Sequence, residues 1–283
     1  AGDYGTAIAA WQTAIDLYQR LADPAAANTL SESLAQAYIA TERYPEAASL
    51  IQQQITTAET ARDFTRQVQA LNNLGTVQIQ QGRVPQAQLT FATALDVATA
   101  ARNFGGMGLS LSNLGLTARL LGDLPSAQRY YEAATNYRLQ AGDKVGLAHS
   151  SNSLGAVYQQ LGAEGPALGA YLVARRTALE LSHVPTLLPA LDGLIAIYSD
   201  RGDTAKVREY IGERVVFTAE DAPPEQRLGL YVGLGRYYTQ LGDLPRARAA
   251  YGEALPLAEA VGDTAQRAEI LNQLQALPAT AAD

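Results

Sequence analysis

The side chains best equipped for chemistry are few. Two histidines, His149 and His183, are the only imidazoles in 283 residues, and there is no cysteine. Disulfides, thiolate metal sites and cysteine nucleophiles are therefore excluded. A metal site needs several converging ligands, and no cluster of histidines or of histidine with carboxylates appears at helical spacing. Both are read as structural or solvent-facing, and no catalytic residue, metal site or cofactor is assigned. No nucleophile motif joins a serine to either histidine. The glycine-rich stretch 103–108, NFGGMG, lacks the preceding strand or lysine that a phosphate loop requires and reads as a loose helix start. The richer chemistry is that of amides. Gln36, Asn72, Asn73, Asn113, Asn152 and Gln159, with Thr76, Arg119 and Arg236, recur at related places along the chain. An amide both donates and accepts, so a row of them matches the backbone of an extended peptide, whose own N–H and C=O groups need partners.

These residues are set by a 40-residue period. Leu34, Leu74, Leu114, Leu154, Leu194, Leu234 and Leu274 stand 40 residues apart without a gap. Gly2, Gly82, Gly122, Gly162, Gly202 and Gly242 keep the same interval, broken by Glu42. Ala47, Ala87, Ala127, Ala167 and Ala247 follow, then a bulky series through Trp11, Ile51, Phe91, Tyr131, Tyr171, Ile211 and Tyr251. Each unit divides into two helices. Apolar residues recur at helical spacing before the glycine, which ends the first helix by taking the left-handed conformation. Pro45, Pro85, Pro125 and Pro245 then sit in the first turn of the second helix, where a missing N–H costs nothing. Asp123 and Asp243 are expected caps of second helices, and Asp23, Asp63, Asn103, Asp143 and Asp263 of first helices. Each helix should run about 18 residues, or about 27 Å. Glycines 75, 115, 155 and 235 let the axes approach, and the bulky residues fill the space between neighbours. One pair buries only one face, so stability comes from stacking.

The stretches SLGAVYQQLG with AYLVARRTA, and GLGRYYTQLGD with AAYGEALPLAEAVGD, resemble the tetratricopeptide repeat (TPR) in a long, 40-residue bacterial-type form, over essentially the whole chain. The resemblance implies an all-α, right-handed solenoid of antiparallel helix pairs, about 14 helices in one continuous domain. Residues 1–22 read as the second helix of an incomplete first repeat. Full repeats follow at 23–63, 64–103, 104–143, 144–183, 184–221 and 222–263, and 264–277 as a capping helix. The missing first helix suggests a piece of a longer protein, whose original N-terminus and any targeting signal are lost. Repeat 184–221 is poor: Pro189 should delay or kink its helix, and Ile195 and Val207 replace glycine and alanine.

The resemblance also places the face of the first helix opposite the repeated leucine on a concave wall. That wall reads as mostly neutral and polar, and Asn72, Asn73 and Asn113 lead the expected peptide contacts. The carboxylate-clamp type of the family needs several cations there, and only Arg119 and Arg236 qualify.

The formal charge of −7 opposes nucleic-acid binding. Two lysines, Lys144 and Lys206, make no polybasic membrane patch, and no apolar run reaches the roughly 18 residues of a membrane span. A soluble chain is expected, the cytoplasm slightly favoured. The reading is a non-catalytic module binding a protein or an extended peptide in its groove. The alternatives are a sensory or regulatory fragment of a multidomain bacterial protein, and an assembly factor or subunit of a complex.

Overall fold

The computed structural model describes residues 4–21, 24–217, 223–240 and 242–278. Among these the chain is all helix: α1 (Tyr4–Arg20), α2 (Pro24–Ala40), α3 (Tyr44–Ala61), α4 (Phe64–Gln80), α5 (Val84–Ala100), α6 (Phe104–Leu120), α7 (Leu124–Gln140), α8 (Lys144–Gln160), α9 (Glu164–Glu180), α10 (Val184–Asp200), α11 (Thr204–Val216), α12 (Pro224–Gln240), α13 (Leu244–Val261) and α14 (Thr264–Ala276). The chain forms two compact units, 1–186 and 187–283, divided within α10. Even-numbered helices are the first helices of the repeats, odd-numbered ones the second.

Short polar turns set this rhythm. The expected caps are in place: Asp63, Asn103, Asp143 and Asp263 accept from the backbone N–H three residues on at first helices, as Asp123 and Asp243 do at second helices. Asp203 caps α11 in the same way. Asp23 and Gly2 lie outside the described residues. Gly82, Gly122, Gly162, Gly202 and Gly242 all have φ between 71° and 81°. Glu42, where the glycine series breaks, nonetheless takes φ 58°, and Arg62, Arg102 and Ser182 do the same in the turns between repeats. The turn geometry thus persists where the favoured residue is absent.

The glycines of the first helices pair with the bulky series. A Cβ built on Gly115 would lie 2.9 Å from the Tyr131 ring, one on Gly155 2.8 Å from Tyr171, and one on Gly235 2.5 Å from Tyr251. Gly75 faces Phe91 in the same way. Where the second helix carries isoleucine, the first carries a larger residue: Ala35 with Ile51 in one core cluster, Ile195 against Ile211 in another. Ring and glycine are matched within these four hairpins.

One expectation is corrected. α10 begins at Val184 and runs through Pro189, so that proline does not delay the helix. Pro189 is the sixth helical residue, and the carbonyl it leaves without a helical donor belongs to Pro185 in the first turn. Thr186, Leu187, Ala190, Leu191 and Leu194 are all within 1% of full burial, and that packing offsets the missing bond.

Candidate functional site

Three hollows share one place in the repeat. The first, between α2 and α4, holds about 50 Å³ and is lined by Asn28, Glu32, Gln69, Ala70 and Asn73 among others. The second, between α6 and α8, holds about 440 Å³; Ser112, His149, Ser150 and Ser153 line it at the corresponding positions. The third, within the second unit between α10 and α12, holds about 210 Å³ and uses Asp192, Gly229, Leu230 and Gly233. Positions 32, 69, 70 and 73 thus recur after 80 and again after 160 residues. A broad depression over α3, lined by Ser49, Gln52, Thr56 and Thr60, is walled by that one helix and lies off this register.

The α6–α8 cleft holds the most cationic side chains of the three. Asn113, Arg119 and Leu116 come from α6, Val145, Gly146, His149, Ser150 and Ser153 from α8, and Tyr131 and Arg138 reach it from α7. Arg138 stands where four of its six equivalents, Ala58, Ala98, Ala178 and Ala258, are buried alanines; Tyr18 and Thr218 are the other two. The space it needs is left by two glycines. A Cβ on Gly108 would lie 2.8 Å from Arg138 Cδ, and one on Gly146 2.5 Å from its Nη1. The glycine-rich start of α6 is therefore partly a seat for this side chain. Arg138 donates through Nη1 to the Asp143 carboxylate, and its side chain is 12% exposed. Its Nε is buried without a hydrogen-bond partner. His149 is exposed at the cleft, and its ring centroid lies 6.1 Å from that of His183. Desolvation at its inner side holds the His149 pKa below the usual imidazole value, helped by the nearby His183 and Arg138 and opposed by Asp143. Burial pushes the Tyr131 hydroxyl up, against the opposing influence of Ser153 and Arg119 beside it.

The amides expected on an open wall divide into two groups. Asn72 is only 2% exposed. Its Nδ2 donates to Val68 O at 2.8 Å and to Ser110 Oγ at 3.0 Å, and its Oδ1 accepts from Asn113 Nδ2 at 2.8 Å. It joins α4 to α6. Asn152 is also buried and donates to Thr186 O at 2.8 Å, while its Oδ1 has no partner. Ser112 and Ser150 join α6 to α8 in the same position, 2.8 Å apart. The face opposite the repeated leucine puts Asn72 and Asn152 near the wall, but they are buried and bonded to the next first helix, at Ser110 and Thr186. Asn73 and Asn113 remain partly accessible; Asn73 accepts from Gln69 at 3.2 Å. Thr76 Oγ1 bonds back to Asn72 O at 3.0 Å, Gln159 accepts from the Tyr171 hydroxyl at 2.6 Å, and Gln36 is exposed. Arg236 pairs with Glu269 at 2.6 Å. Only Asn113 and Arg119 of the expected set share the cleft, and Asn73 lines the α2–α4 hollow. Sequence reading missed Arg138 and the meeting of His149 with His183; the four equivalent alanines were the available signal for the first.

Among the described residues no group of three His, Asp or Glu side chains is placed to hold a metal ion, and no described helix is long and apolar enough to cross a membrane. Comparison with curated proteins returned no sequence match. In fold, the chain is similar to BtubC (BKLC) from P. vanneervenii, with TM-score 0.69 and 18% identity over 77% of this chain and 92% of that one. It is similar to the apo form of RapI (TM-score 0.63, 12% identity, 92% and 93% covered). It also resembles a Rap protein complexed with competence and sporulation factor (TM-score 0.58, 14% identity, 94% and 70% covered). The tetratricopeptide repeat family matches at residues 29–63 and again at 227–261. The same 40-residue register runs through the residues between them, and the two matched stretches are tetratricopeptide repeats.

Proposed function

We propose that the chain is a non-catalytic module that binds a protein, or an extended segment of one, along its first helices. The observation carrying this reading is the recurrence of hollows at positions equivalent to 32, 69, 70 and 73, each between the first helices of neighbouring repeats. Packed helix pairs within each unit present such hollows preorganised, so little ordering entropy opposes a guest. Partly exposed Asn73, Asn113 and Ser153 supply donors and acceptors for a guest backbone. A Rap protein of similar fold was solved in complex with competence and sporulation factor, a precedent for a fold of this kind holding a partner.

The test is selection from a displayed library of random linear peptides, followed by titration of the winners. Asn73→Trp and Ser153→Trp each fill one hollow from its wall, and Leu89→Gln changes the outward face of α5, where Leu89 is 71% exposed. Loss of at least about tenfold in affinity on filling a hollow, with Leu89→Gln binding like the parent, is the expected result. Full binding by both tryptophan variants, with their helix content intact, refutes the reading.

A further inference from the structure

The α6–α8 cleft differs from its equivalents in charge. The chain is acidic overall, at −7, and the α2–α4 hollow carries Glu32 and Asp63 with Arg66. The α6–α8 cleft instead gathers Arg119, Arg138 and His149 around one carboxylate, Asp143. Arg138 is no incidental surface cation. Four of its six equivalents are buried alanines, two helices omit a side chain to admit it, and its buried Nε lacks a partner. Asp143 is already committed twice, capping α8 through Gly146 N at 2.8 Å and pairing with Arg138. At neutral pH it cancels one of the two guanidinium charges. A proton on His149 would double the net positive charge that remains.

We infer that the α6–α8 cleft is an anion subsite that holds an acidic segment of the guest and holds it more tightly once His149 is protonated. The inference rests on the reading of the hollows as guest sites and names the chemistry of one of them. The groups facing His149 are His183, Arg138 and Asp143. The first two disfavour the imidazolium in the empty cleft. A guest carboxylate between His149 and Arg119 reverses that balance, because it offsets the cations and favours the charged imidazole. Proton and guest then bind cooperatively, and each must raise the affinity of the other by the same factor.

The probe is a fluorescent, N-acetylated octa-aspartate peptide, titrated by anisotropy at pH 7.5 and pH 5.5 at one ionic strength. Its carboxylates stay ionised at both, since aspartate titrates near about 3.9. A Gly-Ser octapeptide is the uncharged control. The expected result is about fivefold tighter binding of octa-aspartate at pH 5.5, with the control weaker at both. Reciprocity then requires saturating octa-aspartate to raise the His149 titration midpoint, followed by NMR, by at least about 0.7 pH. In His149→Gln the ratio between the two pH values falls below about two, whereas His183→Gln retains the rise. Arg119→Gln weakens octa-aspartate at both pH values. Circular dichroism at each pH confirms that the variants are folded. The inference is overturned if octa-aspartate binds no better than Gly-Ser, or if His149→Gln keeps the parental ratio. Should octa-aspartate fail while a library-selected neutral peptide still binds and is lost on Ser153→Trp, this inference falls and the guest-site reading stands.

Discussion

Replacing Gly75 by alanine should destabilise the protein, although alanine is the better helix former. In a helix interior the change alone gains about 1 kcal/mol. The new methyl would stand 2.6 Å from Phe91 Cζ and 2.8 Å from Cδ1, well inside van der Waals contact. Phe91 is fully buried, so the ring has nowhere to withdraw, and overpacking of this kind costs about 1–3 kcal/mol. The net expectation is a loss of about 1 kcal/mol. In a Phe91→Ile background the clash disappears and the propensity gain remains, as in the natural pairing of Ala35 with Ile51. Gly75→Ala should then stabilise by about 1 kcal/mol, giving a coupling energy of about 2 kcal/mol between the two sites. Urea unfolding of the four proteins, followed by circular dichroism, measures it. An effect of Gly75→Ala with the same sign and size in both backgrounds refutes the matching of ring and glycine.

Three further outcomes follow from the same geometry. Asn72→Ala leaves Ser110 and Asn113 without their shared partner inside the α4–α6 contact and should cost about 1–3 kcal/mol in urea unfolding. Arg102→Gly relieves a non-glycine residue held at φ 54° and should raise stability by up to about 1 kcal/mol in the same assay, whereas Gly122→Ala, at φ 81°, should lower it. Because the folded-state pKa of His149 lies below its ordinary value, the unfolded chain binds the proton more readily. The His149 contribution to stability is therefore present above about pH 6.5 and lost as the pH falls below it. Thermal melts of the unliganded protein at pH 7.5 and 5.5 should show a smaller drop for His149→Gln than for the parent.

The period of the fold could be read from the chain because each repeat restates the same local rules. A capping Asp or Asn precedes most helices, a left-handed residue ends the first of each pair, and small and bulky residues alternate between hairpin partners. Those signals lie within about 20 residues of the backbone they shape. The site was less legible because it is assembled between repeats. Asn72 looks like a wall residue on its own helix, and only α6, 38 residues on at Ser110, buries it. Arg138 looks like a surface arginine until four of its six equivalents are seen to be alanine and Gly108 and Gly146 are seen to lie against it. His149 and His183 meet because a whole hairpin returns the chain to the same level. Pro189 does not delay α10 for a related reason: propensity argues against it inside a helix, and the packing of Leu187, Leu191 and Leu194 outweighs that local cost.

The claim that guests lie along the first helices is tested most directly by NMR mapping of a library-selected peptide onto the protein. The account predicts shift changes at Asn113, His149, Ser150 and Ser153, with Leu89 and Leu139 on the outward faces of α5 and α7 unmoved. Changes concentrated at those two leucines, with the α6–α8 cleft silent, would contradict it.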